Sequence, residues 1–461
     1  MLTLTFDAIV IGTGQSGPAL AARLSHAGMK VAVIERGKFG GTCVNNGCIP
    51  TKTLIASAYA AHLARRASEY GVDTGAVSVD MKRVKARKDQ VSGASNRGVE
   101  QWMRGLANGT VFQGHARFVD HRTVRVNDQV LTAEKIFVNV GGRPLVPDIT
   151  GLDKVPYLTN VSMMDVDYLP EHLIVVGGSY IGLEFAQMFR RFGSKVTIIE
   201  LGPRLIGRED EDVSQTIRDI LQTEGIDVRV NAACVAVEKA GDAISASVEC
   251  ASGAPRVTGS HLLLAVGRVP NTDDLGLDKA GIEVDKRGYV VVDEGLRTTN
   301  PNVWALGDCN GKGAFTHTSY NDYEIVADNL FDNAGRKVSE RITAYALFVD
   351  PPLGRVGMTE AEIKRAGIQA LVGRRLMTHV ARAVEKGETQ GFMKIHVDAQ
   401  SKRILGAAIL GTAGDEVVHS LLDAMYARLP YTDLKHGMRI HPTVSELVPT
   451  MLGELRPLAH A

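Results

Sequence analysis

The chain has 461 residues, which at about 150 per domain suggests two to four domains, and its 44% hydrophobic and 23% charged residues are those of a globular protein. Lys+Arg and Asp+Glu both number 52, so the net charge is zero and no basic footprint for nucleic acid is expected. No apolar run reaches the ~18 residues of a membrane span, and five cysteines in so long a chain do not make a secreted disulfide framework. The expected setting is a reducing cytoplasm, without membrane or nucleic-acid partners, where paired cysteines are more often catalytic than structural.

Residues 1–10 lack a basic leader and a small-residue cleavage site and read as a strand, not a signal peptide. Glycine is the compositional outlier at 48 residues, about a tenth of the chain against a usual ~7%. Several glycines follow apolar runs directly. The β-branched run 6–11 leads into Gly12-Thr13-Gly14-Gln15-Ser16-Gly17, then a helical stretch and a strand ending at Glu35, 18 residues after the last glycine. Such glycines permit a tight turn, close approach of a pyrophosphate and close helix–strand packing. The helix N-terminus offers free N–H groups to the phosphates, and Glu35 can bond ribose hydroxyls. A dinucleotide site is expected here.

Gly40-Gly41-Thr42-Cys43-Val44-Asn45-Asn46-Gly47-Cys48-Ile49-Pro50-Thr51-Lys52 follows, with its two cysteines five residues apart. In a regular helix that spacing means ~7.5 Å of rise alone, more than the ~7 Å a disulfide tolerates between Cα atoms. If the pair closes, the segment is not regular helix; Gly47 supplies the slack and Pro50 opens the next helix. Spacing by itself leaves two buried structural thiols as the alternative.

A second unit repeats the first. The run 173–176 leads into Gly177-Gly178-Ser179-Tyr180-Ile181-Gly182, a helix, and a strand ending at Glu200, again 18 residues after the last glycine. Ser179 stands where the fingerprint has its second glycine, a departure that still leaves a small residue. Glu200 favours a free ribose 2′-OH, as in NADH, whereas Arg204 and Arg208 can bind a 2′-phosphate. NADH is the favoured coenzyme and NADPH the alternative. From about residue 340 the phosphate-binding signals stop, and 344–348, 354–360, 391–395 and 404–411 read as strands and turns.

The pattern GGTCxNxGCIPxK resembles the redox-active signature of the class I pyridine nucleotide–disulfide oxidoreductases. These flavoenzymes include glutathione reductase, dihydrolipoamide dehydrogenase and mercuric reductase. The resemblance covers essentially the whole chain. It implies an α/β fold of two Rossmann-like dinucleotide-binding domains plus a C-terminal α+β dimerisation domain. The divisions would be an FAD-binding domain at 1–148, an NAD(P)H-binding domain at 149–268, a central FAD-binding part at 269–339 and the dimerisation domain at 340–461. It implies that Gly12, Gly14, Gly17 and Glu35 hold FAD together with Gly41, Thr42, Lys52 and Asp308. Gly177, Ser179, Gly182, Glu200 and Gly267 would hold the nicotinamide coenzyme. Cys48 would be the thiolate against the flavin, Cys43 the thiol that exchanges with substrate, and Lys52 a charge near the flavin's reactive nitrogen. Tyr180 would gate the nicotinamide pocket, and Glu184 would pair with Lys52.

The segments 138–144 and 263–271 resemble the family's domain crossovers, and 299–308 resembles its second FAD motif, with Asp308 on the ribityl chain. His317 and Tyr320 stand where the family more often has other residues; a satisfied structural histidine is the favoured reading, and tuning of the flavin or substrate pocket by these two residues is the alternative. His441-Pro442-Thr443-Val444-Ser445-Glu446 matches the H-P-T-x-x-E of disulfide-reducing members. There the imidazole is the acid–base, oriented by the glutamate, and it reaches across a homodimer to the other subunit's cysteines. Cys234, Cys250 and Cys309 are taken as inert.

Mercuric reductases often carry an extra metal-binding domain, a terminal cysteine pair, and tyrosine in place of His441. This chain has none of these, although 382–392 has their flavour. Soft metals want thiolates, here only Cys43 and Cys48, and no resident metal is expected. The implied function is electron transfer from NAD(P)H through FAD to the Cys43–Cys48 disulfide and on to a small disulfide, oxidant or metal ion. The alternatives are a mercuric-reductase-like Hg²⁺ or Cu²⁺ reductase, an electron-delivering lipoamide dehydrogenase-type subunit of a larger complex, and a flavin transhydrogenase, against which the presence of both cysteines argues.

Overall fold

The apolar run ahead of the first glycine turn forms the strand Thr3–Ile11, and the next forms Val31–Glu35, whose five residues are all buried. Near-continuous apolar runs of this kind suit parallel strands covered on both faces. The computed structural model describes residues 3–250 and 255–459. Its first sheet has the order Gly109–Gln113, Val31–Glu35, Thr3–Ile11, Gln129–Val138, Thr123–Val126, Ala116–Phe118. The strand Val303–Ala305 returns from far along the chain to pair in parallel with Gln129–Val138.

The second unit builds a parallel sheet in the order Asp227–Arg229, Lys195–Ile199, His172–Val176, His261–Leu264. Beside it lies an antiparallel meander, Ala232–Ala240, Ala243–Cys250 and Arg256–Gly259, which sequence reading did not separate. The chain leaves the first unit through Gly142–Pro144 and re-enters through Arg268–Pro270, and these two short strands pair antiparallel as the hinge ribbon between units.

Six antiparallel strands form the last sheet, in the order Ala344–Leu347, Leu353–Gly357, Ile404–Leu410, Phe392–Asp398, Ala370–Leu376, Arg456–Pro457. The helix Gly414–Tyr426 packs on it through Val417, Val418 and Leu421. Among the described residues no helix is long and apolar enough to cross a membrane.

The helix after the cysteine loop corrects one expectation. It runs Cys48–Arg65, so Cys48, not Pro50, opens it. Proline is tolerated at the third position because first-turn N–H groups have no partner within the helix.

Candidate active site

Two short helices place the thiols. Gly41–Asn45 carries Cys43, the chain breaks at Asn46 and Gly47, and Cys48 begins the next helix. At Gly47 a Cβ would lie 2.8 Å from the Thr42 carbonyl oxygen, so the fold-back needs glycine. The loop is pinned from both sides. The Asn45 amide donates to the carbonyls of Phe39 and Gly41, and Asn160 of the second unit donates to the Asn46 carbonyl at 2.9 Å.

Cys43 and Cys48 are free thiols. Cys48 is pulled down to about 6 by a hydrogen bond from Cys43, against burial, with help from the Thr316 hydroxyl and the Lys52 charge. Its Sγ lies 3.1 Å from Thr316 Oγ1, at the start of the helix Thr316–Phe331. Cys43 is pushed up by the same hydrogen bond and by burial. The pair therefore holds one thiolate, on Cys48, and one proton, on Cys43, at neutral pH.

One turn along, Lys52 Nζ donates to Glu184 Oε2 at 2.7 Å and sits 4.5 Å from the Phe348 ring centroid. The other carboxylate oxygen of Glu184 accepts from the Phe348 backbone N–H at 3.1 Å. Glu184 thus joins the cysteine helix, its own helix Tyr180–Phe192 and the C-terminal domain at one point.

An aromatic wall stands nearby. Phe315 is stacked between His317 and Tyr345, at interplanar angles of 12° and 13°, and Tyr180 meets Phe315 and Tyr345 edge-on. The Tyr345 hydroxyl donates to Glu209 Oε1 at 2.6 Å. Both phenols are held well above their ordinary range by burial and the Glu209 carboxylate. Behind them Arg355, fully buried, binds Glu209 and Asp210. Asp210, Glu360 and His396 come close enough together to suggest a cation site. The Lys394 ammonium already lies 2.9 Å from Asp210 and 2.8 Å from Glu360, where a metal would have to sit.

Thiols, lysine and aromatic wall line one cavity of about 1080 Å³, which extends to the first glycine turn and Glu35. That is at or above the ~300–1,000 Å³ of ordinary small-molecule pockets and suits a dinucleotide. The Glu35 carboxylate is set by the N–H groups of Thr13 (3.0 Å) and Gly37 (2.8 Å) and by the Thr13 hydroxyl (2.5 Å). Gly12, Gly14, Gly41 and Thr42 form the adjoining wall. Asp308 faces the same space and is pushed up by burial, with Arg268 3.8 Å away working against that rise. Acceptors for ribose hydroxyls, a bare turn at a helix start and a thiolate in one continuous cavity fit a bound FAD.

Gly177, Ser179, Gly182 and Glu200 form a second turn outside this cavity, with Tyr180 at its boundary. Glu200 accepts from the N–H groups of Gly178 (2.6 Å) and Gly202 (2.7 Å). Arg204 donates to the Gly207 carbonyl of its own loop. Gly267 takes a positive φ of 141° beside the hinge ribbon.

Some expected residues lie elsewhere. His441 Nδ1 is bonded to Glu446 at 2.9 Å, but the imidazole is 73% exposed and does not line its own chain's cavity. Met438 and Ile440 beside it are 96% and 80% exposed. Tyr320 packs on Tyr323, away from the cavity, which corrects the expectation of a role for it there. His317 does line the cavity and bonds the Ala344 carbonyl at 2.6 Å. Cys309 is buried, Cys234 is half-buried on a strand, and the Cys250 side chain lies outside the described residues. Sequence reading gave no role to Thr316, Phe348 or Tyr345. Thr316 stood in the segment already singled out, whereas Tyr345 sits in the strand Ala344–Leu347, whose pattern says only that it is half-buried, and Phe348 directly follows it.

Residues 6–322 match the pyridine nucleotide-disulphide oxidoreductase family and residues 343–452 its dimerisation domain, which makes the chain a subunit of a homodimer. The chain is 35% identical over 449 residues to the probable pyridine nucleotide-disulfide oxidoreductase RclA of Escherichia coli, covering 96% of this chain and 97% of that protein. It is 34% identical to a mercuric reductase of Streptomyces lividans, covering 96% and 94%. A solved structure of the HOCl-induced flavoprotein disulfide reductase RclA from Escherichia coli superposes with a TM-score of 0.89 at 35% identity, covering 97% of this chain and 99% of that one. A Cu(II) complex of the same protein superposes with the same TM-score at 34% identity, covering 97% and 99%. The chain belongs to the pyridine nucleotide-disulphide oxidoreductases, FAD- and NAD(P)H-using flavoenzymes that act through a disulfide.

Proposed function

We propose that this homodimeric enzyme takes electrons from NADH and delivers them through Cys43 and Cys48 to a small acceptor, a disulfide, an oxidant or a thiophilic metal ion. The observation that carries the reading is the Cys48 thiolate, beside Lys52 and Thr316, on the wall of a cavity that reaches Glu35 at one end and Tyr180 at the other. Bound FAD would supply the passage of an electron pair from nicotinamide to the disulfide.

The rest is done by the chain. Gly12, Gly14, Gly17, Glu35, Gly41, Thr42 and Asp308 hold FAD. Gly177, Ser179, Gly182, Glu200 and Gly267 hold the coenzyme, with Tyr180 closing its nicotinamide end. Lys52, fixed by Glu184, keeps positive charge beside the Cys48 thiolate. Cys43 gives its proton to His441 of the partner subunit, and the new thiolate attacks one sulfur of the substrate disulfide. The first substrate thiolate leaves and takes that proton. Cys48 then attacks Cys43, releases the second substrate thiolate and closes the Cys43–Cys48 disulfide. Glu446 holds the imidazole tautomer, with Nδ1 engaged and Nε2 facing outward. The exposure of His441, Met438 and Ile440 supports a site completed by a second subunit.

The proposed division is 1–148, 149–268, 269–339 and 340–461, the ribbon of 142–144 and 268–270 supporting the limits near 148 and 268, and a reducing cytoplasm suits a pair that cycles through free thiols. Reduction of Cu²⁺ or Hg²⁺ is the second reading, favoured by the thiolate's softness and by the Cu(II) complex of the Escherichia coli protein. NADH is favoured over NADPH because the Glu200 carboxylate, fixed by two backbone N–H groups, suits a free ribose 2′-OH and repels a 2′-phosphate, with Arg204 and Arg208 the groups that would bind a phosphate instead.

Anaerobic titration of the yellow protein with NADH, then NADPH, tests both points. The expected result is a long-wavelength thiolate-to-flavin band after two electrons, reached at lower concentration with NADH. Bleaching without that band would remove the dithiol from the reaction.

A further inference from the structure

Tyr345 is anchored at both ends. Its backbone lies in the strand Ala344–Leu347, in register opposite Arg355 of Leu353–Gly357. Its hydroxyl is bonded to Glu209 of the nicotinamide unit, and Glu209 is fixed in turn by the buried Arg355. Its ring is stacked on Phe315, 5.6 Å between centroids. The Tyr180 ring rests edge-on against these two, at 5.9 Å from Phe315 and 5.6 Å from Tyr345. Tyr180 opens a helix at the cavity boundary, where no strand holds it. Tyr345, fixed by a sheet and a carboxylate, thus holds the Tyr180 ring both by edge-on contact and by a hydrogen bond between the two phenols.

We propose that Tyr345 is a positioning residue for coenzyme binding: held by Glu209 and stacked on Phe315, it latches the Tyr180 ring across the entrance to the nicotinamide pocket. The inference rests on the coenzyme role of Tyr180 in the function proposed above and names the device that sets it. A nicotinamide entering the pocket must displace the Tyr180 ring, so apparent affinity is the intrinsic affinity reduced by the fraction of molecules already open. Each edge-on aromatic contact is worth enough to change that fraction about 3- to 10-fold. The latch acts only on ligands that carry a nicotinamide. The adenosine end, at Glu200, lies beyond it.

The test compares NAD⁺ with ADP-ribose, which lacks the nicotinamide, by calorimetry on the oxidised, FAD-loaded dimer. Tyr345→Leu keeps an apolar side chain and removes both the stack and the hydroxyl. It is expected to tighten NAD⁺ about 3- to 10-fold and leave ADP-ribose unchanged. Tyr345→Phe keeps the stack and loses the hydroxyl, with its bonds to Glu209 and to the Tyr180 phenol, and is expected to lie between the unaltered enzyme and the leucine variant. This second variant also keeps the test open if the leucine variant does not fold. Equal shifts for both ligands, no shift for either, or weaker NAD⁺ binding in both variants would overturn the latch. Failure of the unaltered enzyme to bind either ligand would instead overturn the coenzyme reading, and the latch with it.

Discussion

The two glycine turns of this chain are close copies with one difference. In the first, a Cβ at Gly12 would lie 2.3 Å from a carbonyl oxygen of the neighbouring strand end, and one at Gly17 would lie 2.2 Å from Gly12's own. In the second, the corresponding distances at Gly177 and Gly182 are 2.4 and 2.1 Å. Each turn ends at a glutamate held by two backbone N–H groups, Glu35 in one and Glu200 in the other. The middle position differs. Gly14 is crossed by the cysteine loop, and a Cβ on Gly41 would lie 2.8 Å from Gly14 Cα. Ser179, at the corresponding position, is exposed. The first turn is roofed by the redox loop, whereas the second is open. Under the proposed function, the same motif would serve a resident nucleotide in one place and an exchanging one in the other.

The largest expected effect separates the two halves of the reaction. Cys43→Ser should lower disulfide turnover by about 1,000-fold or more, since serine is a poor nucleophile at its ordinary pKa, while NADH still bleaches the flavin in stopped-flow absorbance. Loss of bleaching as well would mean that the two sites are not separable in this way. Next, Gly41→Ala should give protein with little bound flavin, read as the absorbance ratio of flavin to protein, because the added Cβ would lie 2.8 Å from Gly14 Cα on a residue that already takes a φ of 62°. A fully yellow variant would break the distinction between roofed and open turns.

Glu200→Gln should weaken NADH about 10-fold, the ~1.4 kcal/mol of a charged hydrogen bond, and narrow the NADH-to-NADPH ratio in KM. An unchanged ratio would remove Glu200 from coenzyme choice. The dithiol adds a pH effect. Because Cys48 is lowered to about 6, the two-electron-reduced enzyme should keep its long-wavelength band above that pH and lose it as pH falls through 6. Thr316→Val should move the loss upward, since it removes a group that favours the thiolate. The smallest effect belongs to Ser179→Gly, which should change NADH affinity less than 3-fold, within the ~0.5 kcal/mol usual for exposed positions.

The fold was legible wherever local chemistry repeats. Apolar runs into glycines, acids at matched distances and a long cysteine signature mark both nucleotide units without tertiary information. The Lys52–Glu184 pair, by contrast, spans 132 residues and was reached only through family resemblance. Thr316 lies 268 residues from Cys48 and was missed, because nothing in a threonine's neighbours announces a thiolate opposite it. The start of the Cys48 helix was misread by two residues, since proline is permitted at more than one first-turn position. His441 was read from its motif, and within the chain it is bonded to Glu446 and 73% exposed.

The buried charges that join the second glycine-turn unit to the C-terminal sheet bear on how this enzyme can be re-engineered. Arg355 has no solvent exposure, and its carboxylate partners Glu209 and Asp210 belong to the other side of that junction. Removing one member of such a buried pair typically costs ~3–5 kcal/mol, because the remaining charge is stranded away from water. A chimera that imports a foreign coenzyme unit to change cofactor preference would leave Arg355 or its acids without a counterpart. That unit is therefore not a cassette: graft boundaries have to carry residues 209–210, 353–357 and Lys394 together, or replace the whole set with apolar residues of matching volume.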